Sequence, residues 1–152
     1  MKQEHKPFLL FIYLFCTRYF EIFLFLILKY RLFLGKEDKA RIHERKGISK
    51  LKRPKGQLIW FNAASIGEVM SVFQLIKSLR EKDKDLNFLI TSTTVNSARI
   101  IAKMIPNNCQ HQFSPIDTFT ATKAFLGHWK PDLAIFVESE FWPRLLLEIK
   151  SQ

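Results

Sequence analysis

From residue 57 onward, short apolar runs alternate with amphipathic stretches, and this alternation limits the possible fold more than any other feature of the chain. QLIWFNA (57–63) and LNFLITS (86–92) read as buried strands, CQHQF (109–113) as a weaker strand, and DLAIFVE (132–138) as a fourth. Helices are expected over 68–82, 96–104, 118–128 and 142–149, the first with Val69, Val72, Phe73, Ile76 and Leu79 at helical spacing. Strands and helices alternating in this way build a parallel sheet with right-handed crossovers, covered on both faces. The expected class is α/β, a Rossmann-like parallel sheet. Four strands can bury a core, but an exposed parallel edge would invite aggregation or a partner.

The sequence before residue 57 is of another kind. Residues 8–28 read FLLFIYLFCTRYFEIFLFLIL, long enough as one helix to cross a hydrocarbon core of about 30 Å. The run is too long and too aromatic for a signal-peptide core, and no small-residue cleavage site comes after it. Arg18 and Glu21 interrupt it. Three apart, they can pair on one helix face. Each costs about 2.5–3.5 kcal/mol at a bilayer centre, so a helix lying in the interface rivals a simple span. Residues 29–55 then carry 11 Lys/Arg against 3 acidic residues. Anionic lipid attracts such a segment by about 1 kcal/mol per basic residue, and the positive-inside rule places the rest of the chain in the cytoplasm. A solvated basic linker is the plain alternative. The expected organisation is an apolar membrane-anchor helix within 1–34, a basic juxtamembrane segment over 35–56, and a partial Rossmann-like domain over 57–152.

Charge sorts the same way. Residues 1–56 hold 14 Lys/Arg against 5 Asp/Glu, whereas 57–152 hold 10 against 9. The net charge of +10 therefore belongs to the extension, and nucleic acid is not an expected partner of the globular part. Cys16 and Cys109 lack paired spacing, so neither a disulfide framework nor a zinc knuckle is expected. Both read as small buried apolar side chains.

In open parallel sheets, ligands bind where strands end and helices begin. Three stretches fall there: AASIGE (63–68), TSTT (91–94) and ESEFWP (138–143). Gly67 would allow a tight turn, and Glu68 opens the helix. Ser65 and Glu68 fit a capping box, and spacing alone favours capping over catalysis. An ionised carboxylate at this edge is also a plausible general base. Glu138 and Glu140 can complement the dipole of the helix that Pro143 begins, poise one another's protonation, or hold a substrate hydroxyl. The TSTT hydroxyls fit turn hydrogen bonds best. There is no glycine-rich phosphate loop. His111 and His128 have no partners at metal-ligand spacing, so neither metal nor cofactor is expected.

Taken together and in order, several segments resemble the Kdo (3-deoxy-D-manno-octulosonic acid) transferase family. They are the apolar N-terminal helix, GKEDKARIHERKG (35–47), WFNAASIGEV (60–69), FLITSTTVNSARI (88–100), HQFSPID (111–117) and FLGHWKPDLAIFVESEFWPRLL (125–146). The family pattern has an E-R-x-G-like element, a W-x-H-A-A-S-V-G-E box, a T-T-T-x-T-G segment, a Y-x-P-x-D element and an E-x-E-x-W-P-N box. The resemblance implies a GT-B architecture of two Rossmann-like domains. It also implies inverting transfer of Kdo from CMP-Kdo to a glucosamine hydroxyl of a lipid A precursor, at the cytoplasmic face of the inner membrane and without a metal. It gives Glu68 the role of proton acceptor and Glu138 that of transition-state stabiliser, with Ser65, Gly67 and Glu140 supporting the acceptor side. Asn62, the Asn96-Ser97 pair and Arg144 depart from the pattern. The resemblance further implies a chain that stops before the donor domain, inactive alone and open to complementation by a separately encoded C-terminal half. The rival expectation is a non-catalytic membrane-peripheral fragment or subunit that binds anionic lipid.

Overall fold

The structure, a computed structural model, describes residues 8–137 and 141–151. Strands β1 (Leu58–Asn62), β2 (Asn87–Ser92), β3 (Cys109–Phe113) and β4 (Leu133–Phe136) form one parallel sheet in the order β3-β2-β1-β4. Helices α1 (Phe8–Tyr19) and α2 (Glu21–Phe33) precede the sheet. Helices α3 (Ile66–Lys82), α4 (Val95–Met104), α5 (Phe119–Trp129) and α6 (Pro143–Lys150) come after its strands in turn. Every boundary from 57 onward falls within two residues of the sequence reading.

The strands are apolar on both sides because both sides are covered. Alternate residues of a strand point to opposite faces. Phe61, Ala63, Phe88 and Ile90 pack against Val69, Val72 and Ile76 of α3 and Ile101 of α4. Leu58, Trp60 and Leu89 face the other way, onto Phe125, Leu126 and Trp129 of α5 and Leu145 of α6. Ser65, Thr94 and Thr118 stand at the N-caps of α3, α4 and α5, each accepting the backbone N–H three residues on. One hydroxyl thus ends each of these three strand-to-helix connections and satisfies a donor that the helix leaves free.

The N-terminal apolar run is where the fold departs from expectation. A single helix over 8–28 is replaced by two, α1 and α2, bent by 70°. No single helix among the described residues is long and apolar enough to cross a membrane, although the bent pair together is. The break sits at Phe20, with φ −101° and ψ 22°. Its cause is tertiary. Arg18 and Glu21 do not serve each other: Thr120 of α5 donates to the Glu21 carboxylate, and the Arg18 guanidinium lies over the Phe119 ring at 4.7 Å. Tyr13 donates to Asp117 at 2.6 Å, and Arg144 of α6 donates to the Leu14 carbonyl. Docking on α5 and α6 therefore sets the course of α1. Cys16 is exposed on α1 rather than buried, while Cys109 is part-buried and burial pushes its thiol up to about 12.

The basic stretch between α2 and β1 is folded onto the domain. It contains a short 3-10 helix, Ile42–Lys46, closed by Gly47 at φ +75°. A Cβ at Gly47 would lie 2.1 Å from the Ala121 carbonyl oxygen, so only glycine lets this turn sit against α5. Glu44 accepts the Phe113 N–H at 2.7 Å, and Arg41 donates to the His111 carbonyl at 3.1 Å. These side chains pair with the outer edge of β3. This edge of the sheet is covered by the chain itself.

Candidate functional site

Strand order marks one point at which a ligand site is expected. From β1 the chain steps outward through β2 to β3, then returns to the other side of β1 as β4. The order reverses between β1 and β4, and ligands of open parallel sheets bind at such a reversal, beyond the carboxyl ends of the strands. The loop holding Ala64 and Ser65 leaves β1 there. Beside it Val137 N–H donates to the Asn62 carbonyl at 3.1 Å.

Glu68 lies in the first turn of α3, 7% exposed. Its Oε2 accepts the Ala64 N–H at 2.7 Å and its Oε1 the Ser65 N–H at 3.0 Å. Ser65 Oγ accepts the Glu68 N–H at 3.3 Å, completing the capping box. A carboxylate has about four lone-pair sites, so two backbone bonds leave capacity for a further proton or hydroxyl. Gly67 does not make a tight turn. It lies within the helix and is exposed, and a Cβ there would meet nothing within 4 Å. What it supplies is bare backbone beside Glu68. Glu138 and Glu140 lie outside the described residues.

Below these loops runs a buried polar network. Trp60 Nε1 donates to Thr91 Oγ1 at 2.9 Å, Thr91 to Asn62 Oδ1 at 2.8 Å, and Ser114 Oγ to the same Oδ1 at 3.2 Å. Thr93 Oγ1 donates to the Ala64 carbonyl at 3.1 Å, and Thr94 caps α4. Ser92 Oγ is 2.9 Å from His111 Nε2. All four TSTT hydroxyls are thus engaged by the scaffold. On its other side, His111 Nδ1 faces the Arg41 guanidinium at 3.0 Å. Arginine only donates, so Nδ1 accepts and the ring proton sits on Nε2. Burial first, and the Arg41 and Arg45 charges after it, lower the His111 pKa to about 3. The imidazole is therefore neutral, with both nitrogens committed.

Three residues that the sequence reading left without roles do much of the positioning. Arg45 is 6% exposed. It donates to Glu37 at 3.0 Å, to the Ser114 carbonyl at 3.2 Å and to the Thr93 carbonyl. It thereby ties together the loops after β2 and β3. Burial lowers its pKa, against the opposing pull of Glu37. Glu44 closes the β3 edge. Asp117, 7% exposed, accepts the backbone N–H groups of Arg144 at 2.9 Å and Leu145 at 2.8 Å. It caps α6, which begins on Pro143 and has no local side-chain cap. The signal for all three lay in the E-R-x-G and P-x-D elements, whose contacts span 27 to 69 residues.

The departures from the family pattern acquire roles too. Asn62 receives Thr91 and Ser114, Ser97 donates to the Ala64 carbonyl at 3.4 Å, and Arg144 holds α1.

A two-sided α/β layer with a capped, acidic first turn at its switch point is a framework on which many ligand sites are built, and the comparisons say which family uses it here. The model of the 3-deoxy-D-manno-octulosonic acid transferase family matches residues 40–152. The chain is 43% identical over 128 residues to a 3-deoxy-D-manno-octulosonic acid transferase of Rickettsia bellii, covering 84% of this chain and 31% of that protein. It is 42% identical over 120 residues to a probable mitochondrial 3-deoxy-D-manno-octulosonic acid transferase of Arabidopsis thaliana, covering 79% and 27%. The Rickettsia typhi relative is 36% identical over 168 residues, with 82% and 36% covered. This chain belongs to the Kdo transferase family, and it spans about a third of the length of these curated relatives.

Proposed function

We propose that this chain supplies the acceptor side of an inverting transfer of Kdo from CMP-Kdo to a glucosamine hydroxyl of a lipid A precursor. Glu68 takes the hydroxyl proton as the acceptor oxygen bonds to the anomeric carbon of Kdo. The bond from that carbon to the phosphate oxygen breaks, and CMP leaves with the electron pair. Glu138 stabilises the charge that develops, and Ser65, Gly67 and Glu140 support the acceptor. The observation that carries this reading is the position of Glu68 at the sheet's switch point, its carboxylate oriented by two backbone N–H groups. Donor binding belongs to the remaining part of a Kdo transferase.

Glu68→Gln separates the two roles of this residue. Glutamine keeps one of the two backbone N–H bonds through its carbonyl oxygen but takes no proton. With the remaining part of a transferase supplied, the variant is expected to melt within a few degrees of the parent and to lose roughly 10²–10⁴-fold in turnover. Product lipid is read by mass spectrometry. An unchanged rate removes Glu68 from the mechanism.

The same reading places the chain on the cytoplasmic face of the inner membrane. Phe8, Leu9, Phe11, Ile22, Phe23 and Phe33 are all more than half exposed on α1 and α2. Each helix is too short to span alone, and an interfacial elbow buries those side chains in the acyl boundary. Flotation with vesicles is expected to be strong with anionic lipid and to weaken with salt. Equal flotation with neutral vesicles would remove the basic segment from attachment.

A further inference from the structure

The inner side of α2 does not close onto the domain. Leu24, Ile27 and Leu28 stand across a cavity of about 430 Å³ from Ile116, Pro115 and Trp142, within the size range of small-molecule sites. Thr93 and Ser114, just past the ends of β2 and β3, also line it. The cavity therefore opens at the end of the sheet where Glu68 lies.

Its buried polar lining is already engaged. Tyr13 donates to Asp117, which also caps α6. Arg31 and Arg45 share Glu37 at 2.8 Å and 3.0 Å. Thr93 donates to the Ala64 carbonyl and Ser114 to Asn62. Among the described residues the one buried polar side-chain atom without a partner is Gln110 Oε1, which does not line this cavity. A sugar or nucleotide would bring more hydrogen-bonding groups than these largely engaged walls can meet, and burying such groups unpaired is costly. The walls fit a hydrocarbon.

Two features say which hydrocarbon. The opposite face of α2 presents Ile22, Phe23 and Leu26 to the outside, each more than half exposed, so the cavity is one helix away from a surface suited to the acyl boundary. Arg31 lines the cavity with its side chain 45% exposed, placing a cation where an acidic lipid headgroup would emerge.

We infer that this cavity receives one fatty-acyl chain of the lipid acceptor, holding the acceptor's sugar over the strand ends while α2 serves as the cavity's membrane-side wall. This deepens the proposed function and rests on it for the identity of the lipid, though acyl binding itself is measured independently of transfer.

The chain carries its own reporter. Of its three tryptophans, Trp60 and Trp129 are fully buried in the domain, whereas Trp142 is 40% exposed and lines the cavity. Bromine on an acyl chain quenches tryptophan only at short range. Titration of the full chain with monomeric dibrominated stearate, without vesicles, is expected to quench part of the emission saturably, at one molecule per chain. Trp142→Phe is expected to remove the quenching while calorimetry still records binding. Ile27→Phe narrows the cavity at a residue whose own exposure lets the fold tolerate it, and is expected to weaken binding roughly tenfold. Ile116→Phe tests the same narrowing from the opposite wall should the first variant be unstable. Unsaturable quenching, or affinity unchanged by both folded variants, overturns the inference. Saturable binding together with full activity of Glu68→Gln would leave the acyl site standing and overturn the catalytic reading instead.

Discussion

The two edges of the sheet are treated in opposite ways. At β3, residues from far upstream supply what a neighbouring strand would: Glu44 takes the Phe113 N–H and Arg41 reaches the His111 carbonyl. At β4, strand pairing is with β1 alone, and Leu133 is 51% exposed. An unpaired edge is a template for another strand. The contrast teaches that the stretch between α2 and β1 is part of the domain's structure, whatever else its charge does, whereas the β4 side ends without a cover among the described residues.

The closed edge is the easier one to break. Gly47→Ala puts a Cβ into the Ala121 carbonyl and strains a left-handed backbone at once. It is expected to cost about 3 kcal/mol or more, read as a shift of the urea midpoint. A near-neutral result would mean that the 3-10 turn is not seated on α5. Acid should open the same edge more gradually. His111 is held at about 3, below the value of about 6.5 for a free imidazole. Between those values the unfolded chain binds a proton that the folded chain refuses, so stability falls as pH drops through that window, by up to about 1.4 kcal/mol per pH unit. His111→Gln is expected to flatten this slope between about pH 6.5 and pH 4.5, leaving the carboxylate contribution alone. A slope identical to the parent's would show that the imidazole protonates in place. The open edge should respond least. Leu133→Lys is expected to change stability by no more than about 0.5 kcal/mol and to reduce concentration-dependent association seen by light scattering. A large loss of stability would mean that β4 is covered in solution.

How much of this was legible depends on the range of the contacts involved. From 57 onward the strands were readable mainly as short continuous apolar runs, the helices because their burial repeats about every 3.6 residues, and the capping box at Ser65 and Glu68 because its partners are three apart. The bend at Phe20 was not. Its cause is Glu21 with Thr120 and Arg18 with Phe119, about a hundred positions away. The 3-10 turn was likewise hidden, since Glu44 and Arg45 find their partners 48 to 69 residues later and local pattern carries no such information. At the site, Glu68 was found by type and place, but its double backbone anchoring was only half visible. The meaning of Asn62 emerged once Thr91 and Ser114 were seen to converge on it.

Asp117 gives the molecule a mechanical linkage. One side chain starts α6 and grips Tyr13 of α1, while Arg144, the residue that α6 thereby positions, reaches back to Leu14 and Thr17. The first and the last helix described are clasped like two pages on a common staple. Peeling α1 away would strand the guanidinium of Arg144, a residue 8% exposed, with Glu148 as its remaining acceptor among the described residues. Whatever tugs on the N-terminal helix is therefore felt at the first turn of the helix that begins at the end of the ESEFWP box.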